Sequence, residues 1–221
     1  NVANASCETE LRGAYAQMIG QDGRGIATIL EMVSMTRVDC MIGSSGAMRQ
    51  AVAQATHHCH HRAAFGKNLS DQPLMQNVLA DLIVENEAAL AMTMRTTRAL
   101  DQSINSDREK QFVRLATAVG KYWICKRTPG HAYEAMECLG GGGVMDDCIM
   151  PRLFKESPVN SIWEGSGNVQ CLDMLRAMNK DPDVIDVYLS EIKQGAGVDK
   201  NLDKYIIKLS NELTDTQDIE F

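Results

Sequence analysis

The sequence predicts an all-α protein: an antiparallel four-helix bundle over residues 25–180, with a short β segment before it and a helical extension after it. Three observations carry this. Proline occurs 5 times and aromatic residues make up 5% of the 221 residues, against 13 methionines, a composition poor in strand formers. Long proline-free stretches repeat apolar residues at helical spacing. Glycine and proline cluster where that spacing breaks.

Residues 1–24 read as a terminal strand or two and a loop, closed by the turn cluster Gly20-Gln21-Asp22-Gly23-Arg24-Gly25. A first helix runs to about Arg62 on Ile26, Ile29, Leu30, Val33, Val38, Met41 and Ile42. Gly43-Ser44-Ser45-Gly46 interrupts it with small residues that suit the close approach of a helix or a ligand. Gly66, in Phe65-Gly66-Lys67-Asn68, is the stop. Asp71-Gln72-Pro73 starts a second helix, with Leu74, Val78, Leu79, Leu82 and Ile83 as its buried face, to about Asp101. The third begins near Ser106 and carries Phe112, Leu115, Ala116, Val119, Trp123 and Cys125 to about Lys126. Thr128-Pro129 then caps a shorter helix that reaches Leu139. After four glycines and an irregular stretch to Trp163, a last long helix follows through Val169, Leu172, Met174 and Leu175. Beyond Lys180, Val184–Ile192 and Leu202–Leu213 read as two shorter, more charged helices joined by Gly195-Ala196-Gly197.

Composition narrows the function classes. Hydrophobic residues at 44% and charged residues at 23% argue against long disorder. A net charge of −7 argues against a whole-surface nucleic-acid binder. The 7 cysteines are odd in number and include no Cys-x-x-Cys pair, which points to reduced thiols and a cytoplasmic setting. No apolar stretch approaches the roughly 20 residues that span a bilayer, so no membrane role is expected. Asn1 to Glu10 has no signal-peptide pattern, and the chain opens as though cut from something longer.

Four stretches could carry chemistry. His57-His58-Cys59-His60-His61 could seat a divalent metal through His57 and His61, but no third ligand is in register, so a polar helix end is the reading taken and no metal is expected. Gly140 to Gly143 could admit a phosphate to the backbone, yet lacks any dinucleotide fingerprint and by itself reads as a flexible turn. Arg62-Ala63-Ala64-Phe65-Gly66-Lys67 gathers a guanidinium, a ring and an ammonium suited to an anionic, partly planar ligand, or simply caps a helix. In Ser161-Ile162-Trp163-Glu164-Gly165-Ser166-Gly167-Asn168, Glu164 is either a carboxylate desolvated by Trp163 and Ile162, hence a general base, or a first-turn residue favoured by the helix dipole.

In their order, Gly23-Arg24-Gly25, Thr36-Arg37, Arg62-x-x-Phe65-Gly66, Leu139-Gly140-Gly141 and Trp163-Glu164-Gly165-Ser166 resemble the C-terminal helical domain of the acyl-CoA dehydrogenase family over residues 15–180. Asp71-Gln72-Pro73-Leu74-Met75, Leu79-Ala80-Asp81-Leu82 and Ser157–Asn168 resemble its alkylation-response, AidB-type branch. The resemblance implies a flavoprotein oxidoreductase that uses FAD to oxidise the Cα–Cβ bond of an acyl-CoA thioester, with Glu164 as base. It implies that residues 1–24 are the end of a β domain and its linker, and that 181–221 is part of a branch-specific extension. Arg62, Phe65, Gly140 and Gly141 would meet the pyrophosphate and adenosine end of a neighbouring subunit's FAD. Ser166 and Asn168 would approach the flavin of their own subunit, and Arg37 and Gly165 the substrate. Thr36 stands where some members place the base. Pro73 (with Gln72 one place early), Glu137 and Lys155 depart from the common pattern. The resemblance also implies a homo-oligomer, dimer or tetramer, and an inactive state for this stretch of chain alone. DNA binding is the alternative that the AidB-type branch brings, and a purely structural bundle is the third.

Overall fold

The computed structural model describes residues 7–214. The outermost parts of the expected β segment and helical extension, residues 1–6 and 215–221, lie outside the described residues. Residues 7–24 contain no strand; their one regular feature is a turn closed by Arg24 N–H donating to the Gln21 carbonyl at 3.1 Å. A strand needs a hydrogen-bonded neighbour, and the described residues offer these positions none.

Helix α1 (Gly25–His61) is continuous. Gly43 and Gly46 do not break it, because its middle is buried: Met41, Ser44, Ser45 and Met48 are at most 3% exposed. Arg62 ends it in extended conformation, and a two-strand hairpin follows, β1 (Ala63–Ala64) and β2 (Lys67–Asn68). Phe65 at φ 54° and Gly66 at φ 84° form its two-residue turn, the pair of left-handed residues a type I′ turn demands. Gly66 is therefore the turn of a hairpin rather than the stop of the helix. Pro73 opens α2 (Pro73–Gln102) at its first position.

Helix α3 (Asp107–Glu137) is capped by Ser106, whose hydroxyl accepts the Glu109 N–H at 3.3 Å. It runs straight through Pro129, against the expected restart at Thr128. An interior proline costs about 3 kcal/mol, but Ala132, Ala135 and Met136 beyond it are buried, and that burial keeps the helix going. Thr128 is no cap; its hydroxyl donates back to the Ile124 carbonyl at 2.8 Å.

The core identifies the bundle. The end of α1 (Ala51, Val52, Ala55, Cys59) packs with the start of α2 (Leu79, Leu82) and the end of α3 (Ala135, Met136), so α2 runs antiparallel to both. Gly120 lets α3 close on α1: a Cβ there would stand 2.4 Å from Met41 Cε. Residues 140–163, expected as a glycine turn and an irregular stretch, include the short helix α4 (Met150–Glu156) and isolated 3-10 turns. The fourth bundle helix, α5 (Gly167–Lys180), has 14 residues, about half the length of the others. It packs on α3 through Leu115, Ala177 and Met178.

Beyond it, α6 (Asp183–Ile192) and α7 (Lys200–Thr214) follow the expected extension. Arg95 of α2 fastens α6: its guanidinium bridges Glu109 at 2.8 Å and Glu191 at 2.6 Å and lies 4.0 Å over the Phe112 ring. Among the described residues, no helix is long and apolar enough to cross a membrane.

Candidate active site

Glu164 lies in a turn between a 3-10 segment and α5, at φ 57°, followed by Gly165 at φ 102°. The left-handed region is unfavourable for a side-chain-bearing residue, so something must hold it. Three donors do. Arg37 Nε of α1 donates to the Glu164 carbonyl at 2.9 Å. Lys121 Nζ of α3 donates to the Gly165 carbonyl at 2.8 Å. Gln170 Nε2 of α5 reaches both carbonyls, at 3.3 and 3.0 Å. Gly165 is also sterically required, since a Cβ would stand 2.8 Å from both Gln170 Nε2 and Val169 Cγ1.

The two sequence readings of Glu164 both need correction. Ile162 and Trp163 are 64% and 53% exposed, so they do not wrap the carboxylate. Nor is Glu164 in the first turn of α5, which begins at Gly167 with Ser166 at its N-cap position. Glu164 is half-buried and fixed through its backbone. Trp163 is tied down at its indole N–H, which donates to Asn160 Oδ1 at 3.1 Å; Asn160 in turn donates to Ser44 Oγ at 3.2 Å. Asn160 approaches α1 at Gly43, where a Cβ would stand 3.3 Å from its amide nitrogen.

Behind the turn, Asp173 of α5 holds the cations in register. It pairs with Arg37 at 2.9 Å and with Arg114 at 2.8 Å. Burial pushes its carboxyl up, but hydrogen bonds and charge from Arg114, with Arg37 and Arg176, outweigh that and hold it below the ordinary carboxylate value. Lys121 is 1% exposed. Burial pushes its ammonium below the usual lysine value, against the pull of Cys40, Cys125 and Glu164. Ser166 and Asn168 are exposed at the head of α5, two and four residues from Glu164.

A second group assembles at the other end of α1. Arg62, Gly140 and Gly141 line one cleft of about 480 Å³ together with His58, Glu137 and Gly142. Phe65, at the hairpin tip beside it, is 96% exposed. Gln72, one place before Pro73, braces the hairpin by donating to the Ala64 carbonyl at 3.2 Å. The four glycines divide by role. A Cβ at Gly143 would stand 2.2 Å from the Met136 carbonyl oxygen, whereas Gly140, Gly141 and Gly142 meet nothing within 4 Å. The stretch of α1 from Arg37 to His61 is about 36 Å long at about 1.5 Å per residue, so the two groups are far apart.

A profile of the family described as acyl-CoA dehydrogenase, C-terminal domain, matches residues 23–179. The chain belongs to the acyl-CoA dehydrogenase family. It is 42% identical to AidB of Escherichia coli (strain K12) over 96% of its own length and 39% of that protein's, which places it with the AidB-type branch. It is 32% identical to acyl-CoA dehydrogenase family member 11 of Caenorhabditis elegans, over 92% of this chain and 33% of the relative. The crystal structure of C. elegans ACDH-11 in complex with C11-CoA superposes with a TM-score of 0.77 at 32% identity, over 88% of this chain and 33% of that one. The apo form of Bd2924 superposes at 0.82 with 31% identity, over 92% and 40%. The chain spans about two fifths or less of the length of these relatives.

In this acyl-CoA dehydrogenase domain, the structure brings together Arg37, Glu164 and Gly165, and separately Arg62, Gly140 and Gly141. Sequence reasoning missed Lys121, Gln170, Asp173 and Arg114. Lys121 left one signal: it stands three residues after Ala118 and four before Cys125, on the buried face of α3. The histidines at the end of α1 assemble no metal site with other residues; among the described residues no group of three or more His, Cys, Asp or Glu side chains could hold a metal ion. His61 Nδ1 lies 2.8 Å from the His57 carbonyl instead.

Proposed function

We propose that this chain is the FAD- and acyl-CoA-binding helical domain of an oxidoreductase acting on CH–CH groups, with Glu164 as the base that takes the α proton of an acyl-CoA thioester. The observation that carries this reading is the Glu164–Gly165 turn, a carboxylate-bearing residue kept at φ 57° by donors from three helices. Strained backbone that its surroundings over-determine clusters at functional sites. A base must also meet its proton within hydrogen-bond reach, which fixed backbone favours. The complex of ACDH-11 with C11-CoA supports a CoA thioester as the substrate class.

The residues present fit FAD. Arg62 offers a bidentate fork for phosphate. Gly140, Gly141 and Gly142 have open space where a Cβ would stand, so a pyrophosphate can lie on bare backbone. Phe65 presents an exposed ring for an adenine. The Glu137 carboxylate on the same wall is the one group that opposes an anion. When bound, FAD supplies the acceptor for the β hydride.

The remaining work belongs to this chain. Glu164 removes and keeps the proton, Arg37 and the Gly165 backbone flank the substrate, and Ser166 and Asn168 border the flavin of their own subunit. The Arg62 cleft lies about 36 Å away along α1, beyond the length of one FAD, and so serves the flavin of a neighbouring copy in a homo-oligomer.

The test is anaerobic mixing of acyl-CoA with the flavin-loaded oxidoreductase that contains this domain. The wild type bleaches its flavin. Glu164→Gln keeps FAD bound and slows bleaching by about 10²–10⁴-fold. Bleaching at the wild-type rate in that variant overturns the assignment.

A further inference from the structure

Among the described residues, Lys121 is the largest fully buried side chain. Burying an ammonium is costly unless it is well paired, and its hydrogen bond among the described residues goes to a backbone carbonyl, that of Gly165, at 2.8 Å. Gln170 Nε2 also donates to that oxygen, at 3.0 Å, but shares itself with the Glu164 carbonyl at 3.3 Å. The groups around the ammonium are Cys40 and Arg37 from α1, Cys125 from α3, and Glu164. A core selected for stability alone would place a methionine or leucine here.

We infer that Lys121 is a positioning residue that fixes the Glu164 turn, an inference resting on the role proposed for Glu164. Gly165, at φ 102° and without a side chain, is the most rotatable point of the turn. The peptide planes on its two sides carry the Glu164 and Gly165 carbonyls. Arg37 pins the first and Lys121 pins the second. Gln170 divides its amide between them and cannot hold both when one cation is gone. Packing does not substitute, since Ile162, Trp163 and Ser166 around the turn are exposed. The buried charge thus sets the backbone from which the Glu164 carboxylate extends.

The test compares Lys121→Met, Lys121→Arg and Glu164→Gln in the flavin-loaded oxidoreductase that contains this domain. Lys121→Met is expected to lower the rate constant of flavin reduction at saturating acyl-CoA by about a hundredfold. FAD content and KM stay unchanged, and the Tm is unchanged or higher. Backbone amides 163–167 exchange faster in Lys121→Met, a readout independent of turnover. Lys121→Arg, which keeps a cationic donor, recovers part of the rate and of the protection. If Lys121→Met does not fold, Lys121→Gln takes its place with the same expectations. A wild-type rate constant and unchanged exchange in the folded variant overturn the inference. So does a rate loss that merely follows a lowered Tm and lost flavin, the mark of a packing role. A wild-type rate in Glu164→Gln overturns the reading of Glu164 instead, which keeps the two failures apart.

Discussion

The turn around Glu164 and the cleft around Arg62 use the same materials, cationic side chains and glycine backbone, in opposite ways. At the turn Lys121 is buried, Arg37 and Arg114 are partly so, and all three engage the chain's own carbonyls or Asp173. At the cleft Arg62 is exposed, the Phe65 ring stands 96% open, and Gly140 to Gly142 face empty space. One region is shaped before any ligand arrives. The other presents open surface. Substitutions at the turn should therefore alter the protein's own stability or chemistry, whereas substitutions at the cleft should alter ligand affinity alone.

A clear stability loss is expected at Asp173. Asp173→Ala leaves Arg37 and Arg114 facing each other, at about 2 kcal/mol once the 41% exposure of Arg114 is allowed for, read as a lowered urea midpoint. Because the folded-state pKa of Asp173 is depressed, its contribution is present above the unfolded carboxyl value of about 3.9 and is lost as pH falls through the lower folded value. Acid titration of stability should therefore be shallower below about pH 4 in Asp173→Asn than in the wild type.

The glycine run beside the cleft repeats the contrast between packed and open backbone within a few residues. Gly143→Ala, with its Cβ 2.2 Å from a backbone oxygen, should destabilise by about 1–3 kcal/mol. Gly141→Ala should leave the Tm unchanged and weaken FAD binding. Equal Tm losses in both would show that the cleft backbone at Gly141 is as tightly packed as Gly143. Arg62→Ala should weaken FAD binding by about 10- to 100-fold, as loss of a charge-assisted bond does, with stability within about 0.5 kcal/mol of wild type. Phe65→Ala is the smallest: about 1 kcal/mol of FAD affinity from a lost stack and no change in urea midpoint. Flavin titration and denaturation of the same variants check each pair.

What was legible in the sequence follows the range of the interactions. Helices α1, α2, α6 and α7 announce themselves through local apolar spacing, Pro73 and the glycines after Lys193. Pro129 misled, because a local breaker was overruled by burial of Ala132, Ala135 and Met136, which no neighbouring residue reveals. Gly66 was readable as an ending but not as a hairpin, since that depends on Phe65 also taking a positive φ. The site divides in the same way. Glu164, Gly165, Arg62 and Phe65 sit in compact motifs. Arg37, Lys121 and Asp173 reach Glu164, Gly165 and one another across separations of 127, 44 and 136 residues. Such contacts leave no spacing to read. Lys121 is one polar residue within the apolar stripe of α3, and only the fold shows what it holds.

The central claim is that one chain carries two half-sites that serve different flavins. Mixing addresses it directly. Glu164→Gln and Arg62→Glu variants, each impaired alone, are dissociated, combined and reassembled. If the Arg62 cleft of one copy completes the Glu164 site of another, mixed oligomers contain intact sites. Acyl-CoA-driven flavin bleaching then returns to a level neither variant reaches by itself. Bleaching that stays at the average of the two separate variants contradicts the account.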